Sequence, residues 1–155
     1  MPINEIGVIV LDVNKFSDER GWLSELFRND EMGKDYTPVM SYMSITYAGQ
    51  SRGPHEHKFQ TDYFCFIGTS TFEVYLWDNR KESKNKSKQP TKILCKENEI
   101  KIIIVPPGIV HGYKNIGETN GIVINFPNKL YKGKHKLEEI DEIRYEDNSD
   151  EFTFQ

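Results

Sequence analysis

The stretch Phe72-Glu73-Val74-Tyr75-Leu76-Trp77 alternates with a period of two, which places Phe72, Val74 and Leu76 on one face of an extended strand. Further apolar runs of strand length occur at residues 6–13, 40–47, 63–67, 100–105 and 122–126. Glycines separate several of these runs, and helices do not alternate with them. Short strands at this spacing predict an all-β protein, either a sandwich or a barrel.

Length and composition limit the class of protein. The chain has 155 residues, 37% of them apolar and 28% charged, which predicts one globular domain over residues 1–155. The net charge of −4 argues against a general nucleic-acid binder. No apolar run reaches the roughly 20 residues that cross a bilayer, and no secretory signal opens the chain. We therefore expect no membrane partner and a cytoplasmic location, with Cys65 and Cys95 as reduced core residues.

Two histidine-bearing segments each lie next to a strand-like run. One reads Arg52-Gly53-Pro54-His55-Glu56-His57, and the other reads Pro106-Pro107-Gly108-Ile109-Val110-His111-Gly112-Tyr113. We expect these segments to form turns whose histidines converge inside the barrel, where a small ligand is held. A histidine there is a base, a metal ligand or a polar wall of the pocket.

A metal site is one alternative. The spacing His55-x-His57 puts two imidazoles on the same side of a strand, and His111 adds a third. The pattern Pro106-x-Gly108-x-x-His111-x-x-x-Asn115 resembles the second motif of metal-binding cupins. The first cupin motif has a glutamate where this chain has Thr61 or Asp62. Two interpretations therefore remain open: a metal-dependent cupin enzyme using His55, His57, Asp62 and His111, or a polar pocket without metal.

Two polar stretches predict solvated segments. Residues 79–90 carry four lysines and predict a surface loop, and residues 138–151 are acidic. Within the acidic tail, Leu137, Ile140 and Ile143 fall at near-helical spacing, which predicts a short helix.

Five segments in order resemble the dTDP-4-dehydrorhamnose 3,5-epimerase family. The motifs begin in the N-terminal part with an Arg-Gly-aromatic pattern followed by a glutamate, and they end in the acidic tail. They are Phe16-Ser17-Asp18-Glu19-Arg20-Gly21-Trp22-Leu23-Ser24-Glu25, Arg52-Gly53-Pro54-His55, Trp77-Asp78-Asn79-Arg80, Val105 to Tyr113 with its Pro-x-Gly-x-x-His-Gly core, and Ile143-Arg144-Tyr145-Glu146-Asp147.

The resemblance implies a jelly-roll (cupin-like) antiparallel barrel with a short C-terminal extension, assembled as a homodimer. It implies an isomerase, with no metal or organic cofactor, that epimerises a nucleoside-diphosphate-linked 4-keto-6-deoxy sugar in deoxysugar and polysaccharide biosynthesis. A base removes the proton alpha to the ketone, and an acid on the other face returns it. In this chain His55 falls on the base and Asp147 on its carboxylate partner.

The resemblance also implies a substrate-binding set. The residues on these positions are Arg20, Glu25, Arg52, His57, His111 and Asn125, with Arg52 near the diphosphate. A guanidinium suits that place because its rigid fork makes bidentate contacts to phosphate oxygens.

The chain departs from the family pattern at the groups that return the proton and support the enolate. Asn125 is nearest to the position of the acid tyrosine, and Tyr131 is the substitute donor that we predict. The position of the family's enolate-supporting lysine falls within residues 61–63, and this chain has no lysine there. Single inversion, isomerisation and double epimerisation therefore all remain open. A sugar-nucleotide binding module without catalysis is a further alternative.

Overall fold

The computed structural model describes residues 4–86, 89–146 and 151–154. Strands dominate these ranges, together with two short 3₁₀ helices at Lys34–Tyr36 and Lys134–Lys136. The strands are β1 Ile9–Val13, β2 Phe16–Asp18, β3 Gly21–Leu23, β4 Tyr42–Thr46, β5 Ser51–Glu56, β6 Asp62–Phe66, β7 Phe72–Asp78, β8 Thr91–Cys95, β9 Ile100–Val105, β10 Ile109–Asn115, β11 Gly121–Asn125 and β12 Ile143–Arg144.

Ten of these strands form two five-stranded antiparallel sheets. The first sheet has the order β1-β9-β6-β11-β4, and the second has the order β12-β5-β10-β7-β8. Strands β2 and β3 form a separate hairpin. The two sheets pack face to face as a jelly roll, which confirms the predicted all-β, cupin-like fold.

The space between the sheets holds the main apolar core, and the sequence alternation accounts for it. Phe72, Val74 and Leu76 of β7 all lie in this core, as the period of two predicts. Phe64 and Phe66 of β6 meet them from the first sheet. Because Asp62 precedes these phenylalanines by the same period, its side chain also points between the sheets.

Each sheet also has an apolar outer face. The segment from Leu26 to Tyr36 packs on the first sheet beside Tyr63 and Ile104. On the second sheet, Phe152 packs edge-on against Trp77 and Tyr145. The C-terminal part of the chain is therefore held against the back of the second sheet. Cys65 and Cys95 are buried free thiols, as predicted.

Two predictions of local structure were wrong. The histidine segments are not turns, because most of each lies in an inner strand of the second sheet, β5 and β10. Strand β5 reads Ser-Arg-Gly-Pro-His-Glu and has little β propensity, but it pairs with β10 on one side and β12 on the other. The predicted helix in the acidic tail is absent from the described residues, since Ile143 pairs with Glu56 in the sheet instead. No helix in the described ranges is long and apolar enough to span a membrane.

A β-bulge in β5 decides which side chains face the interior. His55 pairs with His111 and Arg52 pairs with Tyr113, so three steps along β5 match two steps along β10. Without the bulge, Arg52 and His55 would point to opposite faces of the sheet. With it, both share the interior face with His111 and Tyr113.

Gly53 makes this bulge possible, and its replacement should be costly. Gly53 has a φ of +80°, and an added Cβ would lie 2.8 Å from the carbonyl oxygen of His111. We expect Gly53→Ala to lower the free energy of unfolding by about 3 kcal/mol, from left-handed strain plus this clash. Gly49 has a φ of +77° with no atom within 4 Å of an added Cβ, so Gly49→Ala should lose only about 1 kcal/mol. Urea unfolding of both variants measures the difference, and equal losses would contradict this account of the bulge.

Candidate functional site

Four side chains whose nitrogen or oxygen lone pairs can bind a proton or a metal ion meet between the two sheets. His55, His57, Asp62 and His111 each place one nitrogen or oxygen within 4.8 Å of the others. The ring centroid of His55 lies 4.5 Å from that of His111 and 5.3 Å from that of His57. We call these four residues the histidine cluster.

Both sheets contribute to the cluster. Strand β6 of the first sheet begins with Asp62, which is buried. Strand β10 of the second sheet carries His111, and β5 carries His55 opposite it. His57 follows directly after β5 and remains buried. The side chain of His55 is 17% exposed against 1% for Asp62, so His55 is the member of the cluster nearest to solvent. We call the space between the two sheets around the cluster the cup, and the side on which His55 is exposed its open side.

The carboxylate of Asp62 is the centre of the contacts. Its Oδ2 lies 3.1 Å from Nε2 of His57 and 3.0 Å from Nε2 of His111. Its Oδ1 accepts hydrogen bonds from the side-chain amides of Gln60, at 2.9 Å, and Asn125, at 2.8 Å. Four polar groups therefore surround a carboxylate that has no contact with bulk water.

The electrostatics of the cluster follow from this arrangement. Although burial alone would raise it, hydrogen bonds from His111 and His57 hold the pKa of Asp62 well below its usual value. Burial opposes the charged form of His57, but its hydrogen bond to Asp62 raises the pKa of that imidazole to about 9. Burial and the neighbouring His111 lower the pKa of His55 to about 2. At neutral pH His55 is therefore an uncharged imidazole, and in this environment it is a weak base.

Backbone carbonyls fix the outer nitrogens of two rings. Nδ1 of His57 contacts the backbone oxygen of Asp141, and Nδ1 of His111 lies 2.8 Å from the backbone oxygen of Ile109. Each ring therefore turns its Nε2 towards Asp62. The side chain of Asp141 accepts hydrogen bonds from the backbone N–H groups of the loop at residues 58–60, which holds that loop and His57 in place.

The carboxylate predicted to orient His55 lies in a segment outside the described residues. That residue is Asp147, so its role stays a prediction. Among the described residues, Glu142 places its Oε1 4.0 Å from Nδ1 of His55. This separation is too long for a hydrogen bond but close enough for an electrostatic effect. Glu142 lies just before β12, which pairs Arg144 with His55.

Asn125, predicted to bind substrate, reaches the cluster and braces it. Its Nδ2 donates to Asp62 and also lies 2.8 Å from the hydroxyl oxygen of Tyr42, while its Oδ1 accepts the backbone N–H of Tyr63. Tyr42 therefore joins the site through Asn125. Burial of the hydroxyl, followed by the charge of Asp62, raises the pKa of Tyr42 above its ordinary value.

Arg52 faces the same interior further along the cup. Its Nε donates to the hydroxyl of Thr46 at 3.0 Å, and its Nη2 donates to the backbone oxygen of Ile45 at 2.7 Å. Both acceptors, the Thr46 hydroxyl and the Ile45 carbonyl, are in strand β4. The structure thus brings Arg52, His55, His57, His111 and Asn125 to one cup, while their catalytic and substrate-binding roles stay predictions.

The other predicted site residues lie elsewhere in the chain. Arg20 is at the tip of the β2–β3 hairpin, 83% exposed, and is paired with Asp18. Glu25 pairs with Arg28 and lines a groove on the outer face of the first sheet. Tyr131 is half-exposed, with Lys132 over its ring. In the part of the chain that the structure describes, no hydrogen bond or ring contact joins these three residues to the cluster.

Sequence reasoning missed the residues that support the cluster. Gln60, Asp141 and Glu142 lie close to His57, Asp62 or His55, yet none belongs to a motif. A signal did exist for Tyr42, because the alternation of residues 40–47 puts Tyr42, Ser44 and Thr46 on one face. That face is the interior one, which the contacts of all three side chains now show.

Comparison with known proteins gives consistent results. A family model described as dTDP-4-dehydrorhamnose 3,5-epimerase matches residues 3–150. A Haloferax volcanii protein named probable low-salt glycan biosynthesis epimerase Agl13 is 37% identical over 131 residues, which cover 83% of this chain and 81% of that protein. The Bacillus subtilis spore coat polysaccharide biosynthesis protein SpsL is 34% identical over 125 residues, covering 81% of each.

Solved structures share the fold. A dTDP sugar isomerase from Desulfovibrio desulfuricans superposes with a TM-score of 0.79 at 17% identity, covering 96% of this chain and 90% of that one. The dTDP-4-dehydrorhamnose 3,5-epimerase of Sulfolobus tokodaii gives a TM-score of 0.69 at 24% identity, covering 82% and 72%.

The side-chain carboxylate of Asp141 accepts three hydrogen bonds from backbone N–H groups, which predicts that Asp141 stabilises the fold. We expect Asp141→Ala to lower the free energy of unfolding by about 2 kcal/mol, because the amides of residues 58–60 lose their acceptor. Glu139→Ala, an exposed acid two residues away, should stay within about 0.5 kcal/mol of the unaltered protein. Denaturant unfolding gives both values, and amide NMR should show shifts at residues 58–60 in Asp141→Ala alone. Unchanged amides there would refute this role.

Proposed function

Because the chain belongs to the dTDP-4-dehydrorhamnose 3,5-epimerase family and is an enzyme of the isomerase class, we propose that His55 is its catalytic base. The substrate in this proposal is a nucleoside-diphosphate-linked 4-keto-6-deoxy sugar. His55 removes a proton from a carbon next to the ketone, and the electron pair of that C–H bond passes into an enolate. A donor on the opposite face then protonates the carbon and inverts it.

One observation carries the proposal: the imidazole of His55 is the most exposed member of the histidine cluster, in a cup lined by polar groups. Burial and the neighbouring His111 lower the pKa of His55, which keeps the imidazole uncharged but weakens it as a base. A carboxylate must therefore face the imidazole when it takes the proton, and Glu142, 4.0 Å away, and Asp147 are the two candidates. The 17% exposure of His55 leaves an approach for a sugar, while His57 and His111 are more deeply buried.

Tyr42 is the donor that the contacts favour. Its hydroxyl oxygen already accepts an N–H from Asn125, which leaves its own proton free to be donated. Burial keeps the hydroxyl protonated by raising its pKa. The role of Tyr131 as a donor stays a prediction, as does that of Asp147 in orienting His55.

Arg52 is the group that we assign to the diphosphate. It faces the same interior as His55 and is held by neutral acceptors on β4, and among the described residues no carboxylate forms an ion pair with it. Arg20 and Glu25 do not reach the cup within one chain. If they bind the sugar-nucleotide, a second copy must bring them there.

A homodimer is part of the proposal. Strand β4 is an edge of the first sheet, and the side chains of Met43 and Ile45 in it and of Tyr47 just after it are all exposed. The segment that covers this outer face packs over β6 and β9, beside Tyr63 and Ile104. A second copy is the occupant that we assign to the uncovered edge, because an exposed apolar edge strand otherwise favours aggregation. A cytoplasmic location stays a prediction.

Solvent exchange tests the catalytic proposal directly. In deuterated water, the protein with a dTDP-linked 4-keto-6-deoxy sugar should incorporate deuterium at a carbon next to the ketone. His55→Ala should slow this incorporation by about 10²–10⁴-fold, because the base is lost. Mass spectrometry and proton NMR of the recovered sugar measure both rate and position, which also separates single from double epimerisation.

Matched variants sharpen this test. His135→Ala removes an exposed histidine and should exchange at the unaltered rate. Glu142→Gln and Asp147→Asn compare the two carboxylates that could orient His55. Exchange at the same rate in His55→Ala would sink the proposal, whereas nucleotide-sugar binding without any exchange would favour a non-catalytic binding module.

The dimer has its own test. We expect light scattering to give twice the chain mass for the unaltered protein, and Ile45→Lys to give the mass of one chain, because a buried lysine opposes association. Lys114→Glu changes a charge away from β4 and should leave the dimer intact. A monomer in the unaltered protein would overturn this part of the proposal.

A further inference from the structure

We propose that His57, Asp62 and His111 bind a divalent transition-metal cation, and that His55 faces the open coordination position of that ion. Two imidazoles and one carboxylate are a common ligand set for zinc, iron and manganese. In this structure the three groups are buried and converge from different strands. The assignment rests on how their atoms are oriented.

The separations match those between ligands of one ion. Oδ2 of Asp62 lies 3.1 Å from Nε2 of His57 and 3.0 Å from Nε2 of His111. Ligand atoms about 2.1 Å from a shared ion stand roughly 3.0–3.4 Å apart at octahedral or tetrahedral angles. The ligand atoms of the cluster all lie within 4.8 Å of one another, so side-chain adjustments would let these three bind a common ion.

The surrounding hydrogen bonds orient all three groups. Nδ1 of His57 and of His111 each lie against a backbone carbonyl, which favours a proton on Nδ1. An ion would displace any proton that Nε2 shares with Asp62 and so take up the Nε2 lone pair. Oδ1 of Asp62 is occupied by the amides of Gln60 and Asn125, which leaves Oδ2 to point at the two Nε2 atoms. Outer partners of this kind accompany metal ligands in most protein sites.

We leave His55 outside the ligand set for a geometric reason. Its side chain is the most exposed of the cluster, and its Nδ1 lies 4.0 Å from a carboxylate oxygen of Glu142. An ion held by the other three groups would have its free position on the side of His55, where a sugar ketone can enter. Base and ion would then act on the same substrate carbon and oxygen.

The ion would add positive charge next to the substrate. The family resemblance places an enolate-supporting lysine at residues 61–63, where this chain has Thr61, Asp62 and Tyr63. A carboxylate near a developing enolate opposes the new negative charge, whereas a bound cation stabilises it. When His55 takes the proton, the negative charge on the ketone oxygen would be stabilised by the ion. This role rests on the proposed function, but the binding of the ion does not.

Metal content is the first test, on tag-free protein purified without chelators. We expect close to one equivalent of a transition metal per chain by mass spectrometry of the digested protein. Stripped protein should regain one equivalent of Zn²⁺, Mn²⁺ or anaerobic Fe²⁺, with a rise in its thermal midpoint, and Mg²⁺ should have no such effect. Stripped protein that takes up none of these ions, with an unchanged midpoint, would overturn the inference.

Variants then test the ligand assignment. Asp62→Asn should lose stoichiometric metal, and Asn125→Ala should weaken the affinity for metal by about 10–100-fold while keeping the ligands. His57→Gln serves if Asp62→Asn does not fold, as judged by circular dichroism. His55→Ala and the exposed control His135→Ala should both retain one equivalent. Loss of metal in His55→Ala would make His55 a ligand and overturn its assignment to the open side.

The solvent-exchange assay separates the two proposals. Metal binding without deuterium exchange would leave the site standing and refute the proposed function. Full exchange in metal-free protein would refute the role of the ion in supporting the enolate. Exchange that is lost on stripping and restored by one equivalent of metal is the result that we expect.

Discussion

The burial of the Asp62 carboxylate is the constraint on which the rest of the site depends. An ionised carboxylate without water costs several kcal/mol unless charged or polar groups replace its hydration. Here those groups come from both sheets, because His111 lies on β10 of the second sheet and Asn125 lies on β11 of the first. One residue thus links the two halves of the jelly roll and fixes the position of the imidazoles. A carboxylate maintained at this cost points to function rather than to stability.

The second constraint is the bulge at Gly53, which acts on the backbone instead of on charge. It puts Arg52 and His55 on the same face of β5, although their spacing in a regular strand would separate them. The guanidinium that we assign to the diphosphate and the imidazole that we assign to proton removal can therefore contact a single ligand. The proposed catalytic geometry depends on strand pairing as much as on the identity of the side chains.

The sequence predicted the parts of the structure that repeat and missed those that depend on unique contacts. Period-two alternation predicted β7 and its core-facing side chains, because every second residue of a strand lies on the same side of the sheet. It missed β5, whose glycine and proline suggest a turn and whose extended form comes from pairing on both sides. Motif reasoning identified His55, His57 and His111, but not Asp141, whose contacts with the loop at residues 58–60 join parts of the chain more than 80 residues apart.

The departures from the family pattern are better understood together than one by one. Asp62 lies within residues 61–63, onto which the resemblance places the family lysine, and its carboxylate requires hydrogen-bond donors. Asn125, which is nearest to the position of the acid tyrosine, provides one. Gln60 provides another, and His57 adds a third from the cluster. A tyrosine in place of Asn125 could not donate to Asp62 and also accept the backbone N–H of Tyr63 through a separate atom. These residues therefore form one polar centre, in which a carboxylate lies next to His55 where the resemblance implies a positive charge.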